Sequence, residues 1–350
     1  MQTHDDIFEL VRQKSAEAVR KMQRALILQP GAIGDCILTL PLAAYMKDAL
    51  DLGGIDILGH TEYIGFLPGR SCVDGVRSMD SMDIHRFFAK SNTFLLKDRD
   101  PLISAFGDYA WIATFLGEPN SNFEQNLIFT ANCSHSTEVI TLSMKPPKGL
   151  SEHLADFYIR QFIKQSGHSL HSRKFQAGDC LIKATETDIN TGRELLRKTG
   201  LGSAEKLMVI QPGSGGTKKC WHVDNFLAVA RQLNSRGVEI VFLLGPAELD
   251  RFSDAKIRKI RSVGKCLTDL SLTQVLGLLS CVDGFIGNDS GITHLAAALG
   301  IRTYSVFGPT NPAVYKSIGP AVTVFTGSTA SFARKPSVSL QRKLLDVLTA

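Results

Sequence analysis

The sequence predicts an α/β protein built from two doubly wound, Rossmann-like parallel-sheet domains that face one another across a cleft. Three observations carry this. Short apolar strands alternate with helical periodicity along most of the chain. The opening of the first half recurs in the second, where a strand again ends in Gln-Pro-Gly, at 29–31 and at 211–213. A length of 350 residues also exceeds what one hydrophobic core usually holds. The expected domains are residues 1–175 and 176–326, with the hinge inside Ser166–Thr187 and a tail helix over 327–350.

In chain order, Ile7, Phe8, Leu10, Val11, Ala18, Val19 and Met22 have helical spacing, which predicts an added N-terminal helix over 5–23. Arg24–Leu28 reads as a buried strand, broken by Gln29–Asp35, and a helix pattern runs from Cys36 to Leu50. Further strands are expected at Gly54–Leu58, Val73–Met79, Asn126–Thr130 and Glu138–Leu142, with helices over Leu102–Leu116 and Glu152–Gln165. Ser81–Asp100 has no clear period and carries Phe87, Phe88, Phe94 and several cations; it reads as a variable surface segment or as a loop beside the crevice that contacts a substrate. In the second half, helix Asp188–Lys198 precedes strand Lys206–Ile210, helix Val223–Arg236 and strand Val238–Leu244. A charged helix follows Glu248, then a helix over Leu270–Leu279 and strand Gly284–Gly287. The next helix ends at Gly300, before strand Thr303–Phe307. Leu340, Leu344, Leu345 and Leu348 give the tail helix an apolar stripe.

Composition narrows the function classes. Hydrophobic residues at 44% and charged residues at 21% describe an ordinary globular chain, and a net charge of +5 spread along it does not imply nucleic acid. Seven cysteines, an odd number with no CxxC pair, point to reduced thiols in the cytoplasm rather than a disulfide frame. Histidines lack metal-ligand spacing, so a structural or catalytic zinc site is not expected, and no cofactor is predicted. No run of 18 apolar residues exists to form a transmembrane segment, and peripheral contact with the inner membrane is left open.

Chemistry concentrates in three strand-to-helix turns. In Gln211–Trp221 the small residues Gly213 and Ser214, followed by Thr217, let backbone N–H groups approach an anion, and Lys218 and Lys219 supply charge. In Gly287–Gly300, Asn288, Asp289 and Ser290 are good helix caps, and the helix start points N–H groups past the end of the preceding strand. In Gln29–Asp35, Asp35 follows Gly34 at the start of the first helix. Glycine-rich signatures of P-loops and dinucleotide sites are absent, as are GxSxG and HExxH.

Together these turns resemble the family 9 glycosyltransferases, the ADP-heptose:lipopolysaccharide heptosyltransferases. Leu26 through Asp35 and on to Leu40-Pro41 is similar to their N-terminal "GD…LP" motif. Pro212-Gly213-Ser214-Gly215…Lys219-Cys220-Trp221, with Asn225-Phe226, is similar to their "PGS…K-x-W-P…F" loop. Gly287-Asn288-Asp289-Ser290-Gly291…His294-Leu295-Ala296-Ala297-Ala298, with Phe307-Gly308-Pro309-Thr310-Asn311-Pro312, is similar to their "GNDSG…HLAAA…FGPT-x-P" signature. The matches run in order over residues 26–312.

The resemblance implies a GT-B fold and an inverting, metal-independent transfer from a nucleotide-sugar donor, ADP-heptose, to a glycan or glycolipid acceptor such as lipopolysaccharide core. It assigns Asp35 as general base, with Gly34 on the acceptor side, and Lys219 to the developing diphosphate charge. Gly213, Ser214, Thr217, Lys218, Ser290, Gly291 and Thr293 fall on the donor side. Glu248 is similar to the acid that holds the ribose hydroxyls. His294 is placed to contact phosphate or to pack on the neighbouring strand, and Asp289 to touch the donor or to orient the loop. His222 stands where the family usually has proline, and the chain between residue 50 and the hinge matches no familiar acceptor loop. Two alternatives stay open: another GT-B-like enzyme, an epimerase or a phosphorylase, or a non-catalytic nucleotide-sugar binder.

Overall fold

A computed structural model describes residues 23–167, 180–327 and 331–349 of the protein. The helix expected over 5–23 lies outside them apart from its last residue, as does most of the expected hinge. The chain divides into two compact units. The first takes the described residues up to Ala32, Thr39–Gly149, and those from Ala155 to 167; the second takes Ile33–Leu38, Leu150–Leu154 and the described residues from 180 onward.

The first unit is a five-stranded parallel sheet of order β3-β2-β1-β4-β5. Its strands are β1 (Arg24–Gln29), β2 (Gly54–Gly59), β3 (Gly75–Ser78), β4 (Trp111–Thr114) and β5 (Glu138–Thr141). Helices α1 (Ile33–Ala49), α2 (Thr61–Ile64), α3 (Pro101–Phe106), α4 (Asn122–Ala131) and α5 (Leu154–Ser166) connect or flank them. Two expectations fail here. The helix predicted over Leu102–Leu116 is α3 followed by β4, because Gly107 caps α3 and the short apolar run after it slots in beside β1. The strand predicted over Asn126–Thr130 is the body of α4. Ser121 caps α4 at Glu124 N–H, and Phe123, Leu127 and Ala131 are buried at intervals of four while Ile128 and Phe129 face solvent. That is helical periodicity, which a short apolar run on its own does not disclose.

The second unit is a six-stranded parallel sheet of order β11-β10-β9-β6-β7-β8. Strands β6 (Leu207–Gln211), β7 (Glu239–Leu244), β9 (Gly284–Asn288) and β10 (Thr303–Phe307) match the sequence reading to within a residue. The edge strands β8 (Lys265–Thr268) and β11 (Val322–Thr326) were not anticipated, since both are only partly buried and lack a continuous apolar run. Helices are α6 (Glu186–Lys198), α7 (Val223–Asn234), α8 (Pro246–Arg251), α9 (Asp254–Arg261), α10 (Leu272–Leu279), α11 (Gly291–Ala298), α12 (Pro312–Tyr315) and α13 (Val338–Leu348).

Two contacts fix this unit's outer layer. Helices α6 and α10 cross at Gly192 and Gly277, where a Cβ on Gly192 would lie 2.0 Å from the Gly277 carbonyl oxygen. Helix α13 docks through Leu340 and Leu344 onto the core that holds Phe226, Val229 and Trp221. Its start is tied down by Asn225, whose Oδ1 accepts from Ser337 N–H at 2.7 Å and from Gln341 Nε2 at 2.7 Å. Asn225 of the "N-F" motif is thus a buried anchor for the tail.

Candidate functional site

Strand order locates the site. From β6 the chain winds outward through β7 and β8, then returns to pair β9 on the other side of β6, with Gln211 beside Gly287. The β6/β9 boundary is therefore the switch point of this sheet, and the carboxyl ends of strands at such a point open a crevice for ligands. The loop Pro212–Trp221 leaves β6 there, and Asn288–Ser290 leads from β9 into α11 beside it.

The two loops are laced together by buried polar side chains. Asn288 Nδ2 donates to the carbonyls of Pro212 at 2.8 Å and Gly213 at 3.1 Å, and its Oδ1 accepts from Trp221 N–H at 2.7 Å. Ser214 Oγ donates to the Asp289 carbonyl at 2.6 Å. Ser290 caps α11 at Thr293 N–H and donates its hydroxyl to Gln211 Oε1 at 2.9 Å. Thr293 Oγ1 donates back to the Asn288 carbonyl at 2.5 Å. Every one of these side chains is buried, so the backbone between them is held in one arrangement. From outside, Arg251 on α8 forks onto the carbonyls of Ser214 at 2.8 Å and Gly215 at 2.7 Å. Arg251 leaves no signal in the sequence because its partners are backbone atoms more than thirty residues away, and Asn288, which reads as a cap in the sequence, is instead the link between the loops.

Charge is arranged around Asp289. Lys219 Nζ lies 2.7 Å from Asp289 Oδ2, while His294 Nε2 stands 3.8 Å from Oδ1. Burial pushes the Asp289 carboxyl up, but His294 and Lys219 outweigh it and bring its pKa down to about 2. The ammonium also sits 5.9 Å from the ring centroid of Tyr315 on α12. Lys218, its neighbour on the Thr217–Lys219 turn of 3₁₀ helix, is exposed, as is Thr217. Nδ1 of the buried His294 has no hydrogen-bond partner among the described residues.

The first turn of α1, which carries Gly34 and Asp35, is packed within this second unit. A Cβ on Gly34 would meet His294 Cδ2 at 3.2 Å, and a Cβ on Gly291 would meet Ile33 Cβ at 2.7 Å. Two glycines thus let the starts of α1 and α11 approach closely. Gly34, expected on the acceptor side, lies against His294. Asp35 is half-buried and close enough for its charge to act on Tyr315, whose phenol is raised by burial, lowered by Lys219 and raised by Asp289 and Asp35. Burial, reinforced by Asp35, also pushes the Cys36 thiol up to about 12, so that thiol stays neutral.

Glu248 forms the other edge. It sits in the first turn of α8, and its Oε2 accepts from Gly245 N–H at 2.8 Å. Its Oε1 is buried without a hydrogen bond of good geometry, beside Gly213, where a Cβ would lie only 2.0 Å away. Burial raises its pKa, offset in part by backbone N–H groups that include Gly213. His222, in the place of the usual proline, caps α7 by accepting from Asp224 N–H at 3.3 Å. A proline there would start the helix by fixing φ; the histidine starts it by accepting a hydrogen bond. Among the described residues no group of three His, Cys, Asp or Glu side chains is placed to hold a metal ion.

The sequence profile of glycosyltransferase family 9 (heptosyltransferase) matches residues 150–343, more than half of the chain. The chain belongs to this family. The matched range takes in the Gln211–Trp221 loop, Glu248 and α11. Lipopolysaccharide heptosyltransferase 3 of Escherichia coli is 31% identical over 116 residues, 31% of this chain and 33% of that protein. Lipooligosaccharide heptosyltransferase 2 of Campylobacter jejuni is 30% identical over 161 residues, 44% of this chain and 50% of that one. The chain thus spans a third to a half of the length of these curated relatives. In three dimensions it is similar to the glycosyl transferase family 9 structure from Veillonella parvula DSM 2008, with a TM-score of 0.67 at 18% identity, covering 93% of this chain and 95% of that one. That likeness carries the fold, and the fold class is GT-B, as the motifs implied.

Proposed function

We propose that this family 9 member is an inverting glycosyltransferase that moves a heptose from ADP-heptose to a glycan or glycolipid acceptor such as lipopolysaccharide core. One observation carries the reading. At the β6/β9 switch point, two loops cross-laced by buried side chains hold the cation Lys219 beside the start of α11, an arrangement suited to a diphosphate. The names of the relatives supply the sugar and the acceptor class. The first unit, within residues 1–175, is assigned the acceptor, and residues 176–326 the donor.

Asp35 accepts the proton of the acceptor hydroxyl as its oxygen attacks the anomeric carbon. The bond from that carbon to the diphosphate oxygen breaks, and the electron pair leaves with the nucleoside diphosphate. Lys219, N–H groups of the loop around Gly213, Ser214 and Thr217, and the start of α11 at Ser290 and Gly291 meet the charge that develops there, while Thr293, hydrogen-bonded to Ser290 Oγ and the Asn288 carbonyl, holds that start in place. Lys218, exposed beside Lys219, is a further group available to phosphate oxygens. Asp289 sets the position of Lys219 and polarises His294. Glu248, by its resemblance to the family acid, is assigned the ribose hydroxyls. Neither metal nor cofactor enters these steps. Among the described residues no helix is long and apolar enough to cross a membrane; we place the enzyme in the cytoplasm, in peripheral contact with the membrane that carries its acceptor.

The test is transfer from ADP-heptose to a core acceptor lacking that heptose, read by mass spectrometry for wild type and Asp35→Asn. Product is expected only from wild type, with nucleotide binding unchanged in the variant. Equal turnover by Asp35→Asn would remove the base assignment.

A further inference from the structure

Six large apolar side chains are exposed among the described residues, and four of them gather on one part of the first unit: Phe88 at 56%, Leu95 at 78%, Ile128 at 40% and Phe129 at 59%. Single exposed apolar residues are ordinary, but a cluster marks an interaction surface. The cluster spans the segment 84–95 and the outer face of α4. Asn126 Nδ2 ties the two by donating to the carbonyls of Phe87 at 3.0 Å and Ala89 at 2.8 Å, and Ser91 Oγ donates to Gln125 Oε1 at 2.9 Å. The Phe88 ring lies 4.8 Å from Phe123, and the Phe94 ring 6.4 Å from Phe129.

The backbone that presents these side chains is pinned. Arg86 forks onto Asp100 at 2.9 and 2.8 Å and also donates to the Leu95 carbonyl at 2.8 Å. Apolar tips are thus displayed on a fixed frame, where a mobile loop would fold them inward. Cations flank them in the chain. Lys90 and Lys97 each stand two residues from Phe88 or Leu95, Arg99 follows, and all three are exposed. Asp98 is the one exposed acid between 84 and 100, with Asp83 just outside, and Glu124 on α4 turns its carboxylate back to Asn120 N–H at 2.6 Å.

Phenylalanine and leucine tips interleaved with lysine fit one occupant better than others. Lysine is depleted at protein–protein interfaces. At a membrane surface the same mixture is favourable twice over, since apolar tips enter the headgroup layer while Lys and Arg are drawn to anionic lipid. We propose that this surface docks the protein on an anionic lipid bilayer, with Phe88, Leu95 and Phe129 entering the headgroup layer and Lys90, Lys97 and Arg99 meeting lipid phosphates. It gives a location to the peripheral membrane contact of the proposed function, yet it stands on exposure and charge rather than on the reaction.

The test is co-sedimentation of the full chain with vesicles of equal parts phosphatidylethanolamine and phosphatidylglycerol, against vesicles of phosphatidylcholine alone. Wild type is expected to pellet with the anionic vesicles, less so in high salt, and not with the neutral ones. Phe88→Ser/Leu95→Ser/Phe129→Ser is expected to lower the partition coefficient at least about tenfold, because binding scales with buried apolar area. Lys90→Glu/Lys97→Glu is expected to remove the salt-sensitive part. Circular dichroism and an unchanged thermal response to ADP show that each variant folds. Failure of wild type to pellet, or a triple variant that pellets as wild type does, overturns the proposal. So does a triple variant that loses self-association in ultracentrifugation with no effect on lipid, because a second copy is then the occupant. A chain that binds vesicles as described but ignores every nucleotide sugar would retain this surface and lose the donor reading.

Discussion

Asp289 and Lys219, seventy residues apart, meet at 2.7 Å, with the carboxylate buried and the ammonium still partly open to solvent. A buried charge is costly unless paired, and this one is paired on the side where a diphosphate is proposed to bind. Lys219 is thereby held at a fixed position before any ligand arrives.

The pair sets a pH dependence. The Asp289 carboxyl is lowered from 3.8 to about 2, so its stabilisation is fully present above the ordinary carboxylate pKa and is lost as pH falls through about 2. Asp289→Asn is expected to cost about 2 kcal/mol near pH 7, and the gap from wild type closes between pH 4 and pH 2. Thermal melts of both proteins across that range check this; a gap that is constant with pH contradicts it.

Glu248 works in the opposite direction. Its folded pKa is raised by burial, so its contribution is most favourable when protonated and is lost as pH rises from about 4.5 through the folded value. Glu248→Gln keeps the acceptor for Gly245 N–H and removes the buried charge. The variant is expected to melt higher than wild type at pH 7 and equally at pH 4, while binding the nucleoside part more weakly. A lower melting temperature at pH 7 would show that the charge stabilises the fold.

Two glycines of the same loop should behave differently. A Cβ on Gly213 meets Glu248 Oε1 at 2.0 Å, whereas nothing lies within 4 Å of one on Gly215. Gly213→Ala is therefore expected to cost about 1–3 kcal/mol through overpacking and to weaken nucleotide binding. Gly215→Ala should melt within a degree or so of wild type, since a compatible site gains at most about 1 kcal/mol. Denaturant titration of the two variants side by side tests the contrast.

Much of the second unit was legible in the sequence because Gly, Pro and capping residues punctuate it: Gln211-Pro212-Gly213 ends β6, and Asn288–Ser290 opens α11. The first unit was harder. Strand β4 is four residues long and directly follows a helix, and α4 carries Leu127-Ile128-Phe129, an apolar run that imitates a strand until burial shows which of its members face inward. Edge strands β8 and β11 have half-buried patterns that no period marks. At the site, the loops were visible as motifs, but the contacts that fix them were not. Arg251 reaches backbone carbonyls, and Tyr315 arrives from α12, so neither leaves a local signal.

The most direct measurement is thermal stability in the presence of ADP and ADP-sugars for wild type, Lys219→Ala and Lys218→Ala. A ligand at a hundredfold excess over its Kd stabilises a native state by about 2.7 kcal/mol. That rise is expected for wild type, most of it retained in Lys218→Ala and nearly all lost in Lys219→Ala. A wild type indifferent to every nucleoside diphosphate and nucleotide sugar, or a Lys219→Ala variant that responds as wild type does, would contradict it.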